Sequence, residues 1–499
     1  MIRKVIDFWF LPTNYERHFN KTVENDMYIT SHFKDYLQLN YHLALNARDK
    51  FAFIILYDQL VRHFYRNDQD KIDYYHKIAL ELSEELLVKK YDLCIQPIER
   101  CFLLMPLRHT FDITYLDRVL LKIVEYRSKK MCAEYDRFYK ATILSYSKLK
   151  IDKLDIEPID ELISDNDIYD LLDKKSHKNI SKICDLPYHN KLYKIFNKNI
   201  RSGVLLSLSG GVDSMVCSFL LHKLSTHMKI NVKAVMINYG NRDRCNIEVE
   251  FVKRWCKLLN IELYVYHMNE LKRNRNEDRD LYEKLTNKVR FSLYQHFDCS
   301  VILGHNRDDC EENILTNILK KQKWDNLYGM TVDSIINDVR ILRPLLDIKK
   351  NEIYKFADEF QIPYLYDSTP DWSVRGQLRR NVIPELERVN MGFPDSLCVL
   401  ATHMSELYVI QERYISDFYS KNVSFNDDKT VVTIKFDKNR EETLLFWQTI
   451  LQKIIDKPIS YQSIVNFYKQ LYIGGDKKII LNKYLYAKIY GNEISIYFN

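Results

Sequence analysis

The sequence predicts three folds in one chain: an all-α N-terminal domain, a doubly wound parallel α/β domain, and a small α+β C-terminal domain. Three observations predict it. Residues 1–150 contain no glycine and few prolines, so the punctuation that separates strands is missing. From about residue 200, short β-branched and aromatic runs alternate with helical stretches, the pattern of a parallel sheet covered on both faces. Beyond about residue 390 a helical stretch gives way to short strands.

The elements follow in order. FAFIILYDQLVRHFYR (51–66) is apolar at three-and-four spacing, with Asp58, Arg62 and Arg66 assigned to the wet side. KLDIEPIDELISDNDIYDLLDKK (153–175) is acidic and poorly amphipathic and reads as a linker, so a chain beginning near 185 is expected to fold alone. VLLSLS (204–209) is a strand, followed by GG and a helix with Met215, Val216, Phe219 and Leu220 on its apolar side. VKAVMINYG (232–240), IELYVYHM (261–268) and CSVILGH (299–305) supply further strands, and VVTIKF (431–436) opens the C-terminal set. The expected domains are 1–150 all-helical, 151–190 linker, 191–390 catalytic and 391–499 α+β.

Composition sets limits on function. With 499 residues, 46% hydrophobic and 28% charged, each domain can bury an ordinary core, which excludes bulk disorder and rods. No window holds about 18 uninterrupted apolar residues. MIRKVIDFWFLPTNYERHF lacks the h-region and cleavage site of a signal peptide, so the expectation is a soluble cytoplasmic protein. Net charge is +6, too mild for a protein that coats nucleic acid, so RNA contact would be a local patch. None of the ten cysteines forms C-x-x-C, which removes zinc ribbons and dithiol redox motifs.

The sharpest signal is SGGVDS (209–214), between a strand and a helix in a chain with only 11 glycines. Pyrophosphate sits where backbone N–H groups converge at a helix N-terminus. Side chains would block that approach, so Gly210 and Gly211 permit close contact and positive φ. Ser209 and Ser214 add hydroxyl donors, Val212 begins the helix, and Asp213 suits the Mg²⁺ that travels with ATP. No Walker A pattern is present.

This turn resembles that of the PP-loop ATP pyrophosphatases, which have an adenine nucleotide alpha hydrolase-like fold. LGHNRDDCEEN (303–313) is similar to the G-H-x-x-D-D-x-x-E-T motif of the tRNA(Ile)-lysidine synthetase family. The resemblance implies that His305 and Asp308 lie near the activated base, and that Asp309 and Glu312 bind lysine. Spacing agrees in part: a three-residue step puts Asp309 and Glu312 on one helical face. VRILRPLL (339–346), DSTP (367–370) and RGQLRRNVIP (375–384) extend the likeness, with Arg343, Arg375 and Arg379 as candidate RNA or phosphate contacts. Departures are Asn313 where the family has threonine, Gly376 where it has asparagine, and KKQKWDNLYGM (320–330) where it has a Gly-rich stretch.

The N-terminal half, through VIDFWF (5–10), AFIILYDQLVRHFYR (52–66) and ERCFLLMPLRH (99–109), resembles an uncharacterised bacterial all-helical family of tetratricopeptide-like build. Asp58, Gln59, Arg62, Arg66, Glu99, Arg100 and His109 are candidates for a shared polar site, or for buried ion pairs between helices. The resemblance implies a ligase using ATP and Mg²⁺ to adenylate the wobble cytidine of an isoleucine tRNA before attack by free lysine. The alternatives are tRNA thiolation, which commonly uses paired cysteines, another PP-loop amidation, and a non-catalytic RNA-binding adaptor.

Overall fold

The computed structural model describes residues 2–14, 22–44, 46–158, 203–241, 244–271, 279–320, 327–366, 369, 373–428, 430–455, 459–473 and 477–498. Two compact units divide the chain: residues 1–307 with 331–368, and residues 308–330 with 369–499.

The first unit opens with helices α1 (Lys4–Trp9), α2 (Val23–Phe33) and α3 (Ala47–Ile54). Their starts are written locally: the side chains of Thr22 and Asn46 accept the Asn25 and Asp49 amides as N-caps. Helix α3 runs into a π-helical turn, Ile55–Leu60, and then α4 (Val61–Phe64). The remainder is α5 (Gln69–Val88), α6 (Pro97–Arg108), α7 (Ile113–Lys129) and α8 (Ala133–Asp152). Asp68 caps α5, a Gln96–Glu99 capping box with Pro97 starts α6, and Asp112 caps α7.

Asp58 corrects the periodicity. It was assigned to the wet side, yet it is 1% exposed. Residues 51–61 are buried without a break, so this stretch, with the π turn inside it, is enclosed on every side and has no wet face. Arg62 and Arg66 remain partly exposed, as expected.

The sheet of this unit has the order β3-β2-β1-β4-β6-β5. Its strands are β1 (Val204–Ser207), β2 (Val232–Asn238), β3 (Glu262–His267), β4 (Ser300–Ile302), β5 (Asp333–Ile336) and β6 (Val339–Leu342). All neighbours are parallel except β5, which pairs antiparallel with β6. Connections α9 (Val212–Met228), α10 (Cys245–Leu258) and α11 (Arg279–His296) make it doubly wound. Alternation sorts the two faces. Val204, Leu206, Ala234, Met236, Val265 and Ile302 pack with α9, α10 and α13 (Lys350–Glu359). Leu205, Val235, Tyr266, Val301 and Ile341 share one continuous core with α11 and the N-terminal helices.

Helix α8 lies against α11, and this junction is polar as well as apolar. The Glu270 carboxylate, fully buried, accepts from Ser147 Oγ (2.9 Å), Tyr266 OH (2.6 Å) and Lys150 Nζ (3.2 Å). Just after α8, Ile156 bridges Tyr264 on the open edge of β3, and the Glu157 amide donates to Leu263 O at 2.8 Å. A chain beginning near 185 would uncover α11 and leave Glu270 with Tyr266 but without Ser147 and Lys150. The rest of the expected linker, 159–202, lies outside the described residues.

In the second unit, α12 (Arg307–Leu319, from Asp308 onward) accompanies α14 (Val374–Gln377), a π turn (Leu378–Val382), α15 (Ile383–Val389) and the long α16 (Phe393–Asn422). An antiparallel sheet of order β7-β8-β11-β10-β9 follows, from β7 (Val423–Phe425), β8 (Val431–Lys435), β9 (Lys477–Asn482), β10 (Leu485–Tyr490) and β11 (Glu493–Phe498). Helices α17 (Leu444–Ile454) and α18 (Tyr461–Leu471) cover it around buried Trp447 and Phe467. Among the described residues no helix is long and apolar enough to cross a membrane.

Candidate active site

In the first unit, strand order reverses between β1 and β4, and ligands of open α/β sheets bind beyond the strand ends at such a point. Both loops there carry the motifs. After β1 the turn needs glycine at Gly210, whose φ is +82° and whose O accepts the Leu365 amide at 2.9 Å. Ser214 Oγ braces the turn, receiving the Ser209 amide at 3.2 Å and donating to Gly211 O at 2.9 Å. Gly211 is the N-cap of α9, so the first amides of that helix and its dipole face the turn. After β4, Gly304 lies flush against this turn: a Cβ there would meet Asp213 C and Ser214 N at 3.0 Å.

The Asp213 carboxylate is held by two residues that the sequence reading missed. Asn306 Nδ2 donates to Oδ1 at 3.0 Å, and Lys350 Nζ pairs with Oδ2. Asn306 sits inside the LGHN motif, and Lys350 begins α13; neither position stands out by residue type alone. One carboxylate fits a magnesium ion that arrives on nucleotide phosphates, since Mg²⁺ commonly takes one or two carboxylates plus phosphate. A resident metal fits less well: among the described residues no group of three or more His, Cys, Asp or Glu is placed to hold one.

Arg343 does not present itself to a phosphate. It is 5% exposed, and its guanidinium donates to Thr331 O (2.8 Å), Ser334 Oγ (2.9 Å) and His305 Nδ1 (3.2 Å). The last bond makes Nδ1 an acceptor, so a neutral His305 carries its hydrogen on Nε2.

In the second unit, Asp308 and Asp309 occupy the first turn of α12, where the dipole favours negative charge. Asp309 and Glu312 do share a face, and arginine already meets it. Arg379 Nε donates to Glu312 Oε1 at 2.6 Å and Arg379 Nη2 to Asp309 Oδ1 at 3.4 Å, with Arg375 Nε 3.9 Å from Glu312 Oε2. The two arginines expected on RNA or phosphate thus serve the acid pair. Glu312 is 1% exposed, and its Oε2 is buried with no hydrogen-bond partner. Burial raises the Glu312 carboxyl above its ordinary range, against the pull of Arg379. Residues 321–326 and Asp367, Ser368 and Pro370 of the DSTP stretch lie outside the described residues.

In the helical half the expected shared polar site separates. Asp58, Gln59, Arg62 and His109 come together, joined by His76, which the motifs did not flag. Arg66 instead pairs with Asp26, Glu99 with Arg48, and Arg100 with Tyr135 OH at 3.0 Å.

The profile of a PP-loop domain matches residues 185–386, and that of a bacterial protein of unknown function (DUF924) matches residues 5–153. The tRNA(Ile)-lysidine synthase of Thermotoga sp. (strain RQ2) is 25% identical over 279 residues, 53% of this chain and 64% of that protein. The tRNA(Ile)-lysidine synthase of Chlamydia pneumoniae is 29% identical over 232 residues, 44% of this chain and 70% of that one. The chain thus spans slightly less than two thirds of the first of these relatives. A solved U34-tRNA thiolase, NcsA from Methanococcus maripaludis with its [4Fe-4S] cluster, aligns at TM-score 0.38 and 20% identity over 44% of this chain and 78% of that chain, too weakly to bear on the argument. Residues 185–386 are therefore a PP-loop domain, and residues 5–153 ahead of them are a domain of the DUF924 kind.

Proposed function

We propose that the chain is a tRNA-modifying ligase that makes lysidine. The carbonyl oxygen of the wobble cytidine in an isoleucine tRNA attacks the α-phosphate of ATP and pyrophosphate leaves. The ε-amine of free lysine then bonds to the same carbon, AMP departs with the oxygen, and the ammonium proton is lost to a base.

The amides at Gly210 and Gly211, the hydroxyls of Ser209 and Ser214, and the N-terminus of α9 would bind the phosphates. Asp213 would hold a nucleotide-borne Mg²⁺, which neutralises charge on the departing pyrophosphate, and Lys350 adds a second cation there. Arg343 orients His305 so that its Nε2–H can donate to an oxyanion. The observation that carries the lysine half is Glu312: a buried carboxylate with one oxygen that makes no hydrogen bond, with Arg375 Nε 3.9 Å away, suits an incoming ammonium, and its raised carboxyl suits a proton acceptor. Sulfur transfer would bring no cation to such an acid.

The test is steady-state AMP release at varied lysine and at varied ATP, with nucleoside mass spectrometry of the tRNA. Glu312→Gln keeps the hydrogen bond to Arg379 but removes a charge. Losing a charge-assisted hydrogen bond costs about 1.5–3 kcal/mol, so the apparent lysine affinity should fall by roughly 10- to 150-fold with ATP affinity little changed. Equal losses for both ligands would mean a generally damaged site, and lysine-independent turnover in wild type would sink the reading.

A further inference from the structure

Asp58 stands inside the helical half with its side chain fully buried, on the π turn Ile55–Leu60. His109 Nδ1 lies 3.0 Å from both of its oxygens, His76 Nδ1 lies 3.1 Å from Oδ1, and the Gln59 amide also donates to it. Arg62 reaches back from the next turn, Nε to Asp58 O at 2.8 Å and Nη2 to Oδ1 at 3.4 Å. One carboxylate is therefore contacted by one guanidinium, two imidazoles and an amide.

We propose that this cluster is a binding site for an oxyanion, the phosphate or carboxylate group of a small ligand that enters over Arg62 and the outer edges of His76 and His109.

Four observations support it. First, a buried ionic group of this kind is seldom a better source of stability than apolar packing, so the cluster calls for a role beyond holding the helices together. Second, both imidazoles spend Nδ1 on Asp58, and His76 Nε2 is buried with no hydrogen-bond partner, a polar atom left for a ligand to satisfy. Third, the cluster opens to solvent: the Arg62, His76 and His109 side chains are 35%, 15% and 18% exposed. Fourth, the backbone beside it is held in a costly conformation. Phe111 has φ +50°, stays 58% exposed, and stacks on His109 with centroids 6.5 Å apart, a bulky ring held at the mouth of the cluster. π turns too are frequent at functional positions.

A metal is the weaker occupant. Among the described residues no group of three or more His, Cys, Asp or Glu is placed to hold one.

The site is independent of the ligase reading, so its test uses probes that resolve it from the phosphate-binding turn. In the full chain, histidines labelled with ¹³C at Cε1 are followed by NMR, and the His76 and His109 signals are assigned by their loss in His76→Gln and His109→Gln. Inorganic phosphate and succinate are titrated separately, with chloride at matched ionic strength as control. Saturable shifts of both signals with phosphate, with succinate or with both are expected, and the arms tell which group is preferred. Arg62→Gln should weaken that binding about tenfold or more, and Arg62→Lys less. An unchanged His63 signal shows that the variants fold. Shifts at neither residue, shifts matched by chloride, or shifts undiminished in both Arg62 variants would overturn the proposal.

Discussion

Gly304 shows how much a single hydrogen in place of a methyl can decide. A Cβ there would stand 3.0 Å from the backbone of Asp213 and Ser214, and backbone cannot step aside as a side-chain tip can. Gly304→Ala should cost about 1–3 kcal/mol by urea unfolding and weaken ATP binding, because the turn itself must move. Gly240→Ala is the matched contrast. Its φ is +60° with nothing within 4 Å of a built Cβ, so only the left-handed strain of about 1 kcal/mol is expected, and ATP binding should hold. Asp58 carries a pH signature. Burial alone would raise its carboxyl, but His109, His76 and Arg62 outweigh that and hold it well below the ordinary range. A depressed folded pKa contributes stability that is present above the unfolded value, near 4, and is lost as pH falls toward the folded one. Asp58→Asn should therefore destabilise by about 3–5 kcal/mol at pH 7, and the gap from wild type should narrow as unfolding is measured below about pH 4.

At the scale of elements, the junction of α8 with α11 makes the helical half part of the fold of the sheet. A chain beginning near 185 loses Ser147 and Lys150 from Glu270 and leaves the α11 face, with Leu285 and Val289, open to water. Each fully buried aliphatic side chain is worth about 1.5–3 kcal/mol, so that fragment should be insoluble, checked by expression beside the full chain. This was not legible in the sequence, because the contact pairs residues more than a hundred positions apart and an acidic run lies between them. What was legible was local. The glycine pair before a helix gave the strand–turn–helix at Gly210 and Gly211, and alternation of strand with helix gave the parallel sheet. The burial of Asp58 was missed because residues 51–61 are enclosed on every side, whereas a two-sided periodicity presupposes a wet face. The pairing of Arg379 with Asp309 and Glu312 was missed because spacing reveals which residues share a face but not what meets that face.

At the scale of the molecule, the chain crosses between its two units at 307–308, 330–331 and 368–369, so neither unit is one continuous stretch. Within the first unit, one apolar core runs from Val5 in the opening helix to Ile341 in the sheet. Two modules joined by a tether would take up heat separately, each with its own midpoint. Helices and sheet that share a core must instead melt together, with calorimetric and van't Hoff enthalpies agreeing for that unit. Differential scanning calorimetry with hydrogen exchange should find the amides of α7 and β2 opening in the same transition. Two resolved transitions, one for each, would contradict this. A fault that loosens the DUF924 helices, far along the chain from the phosphate-binding turn, then lowers the fraction of molecules in which that turn exists at all.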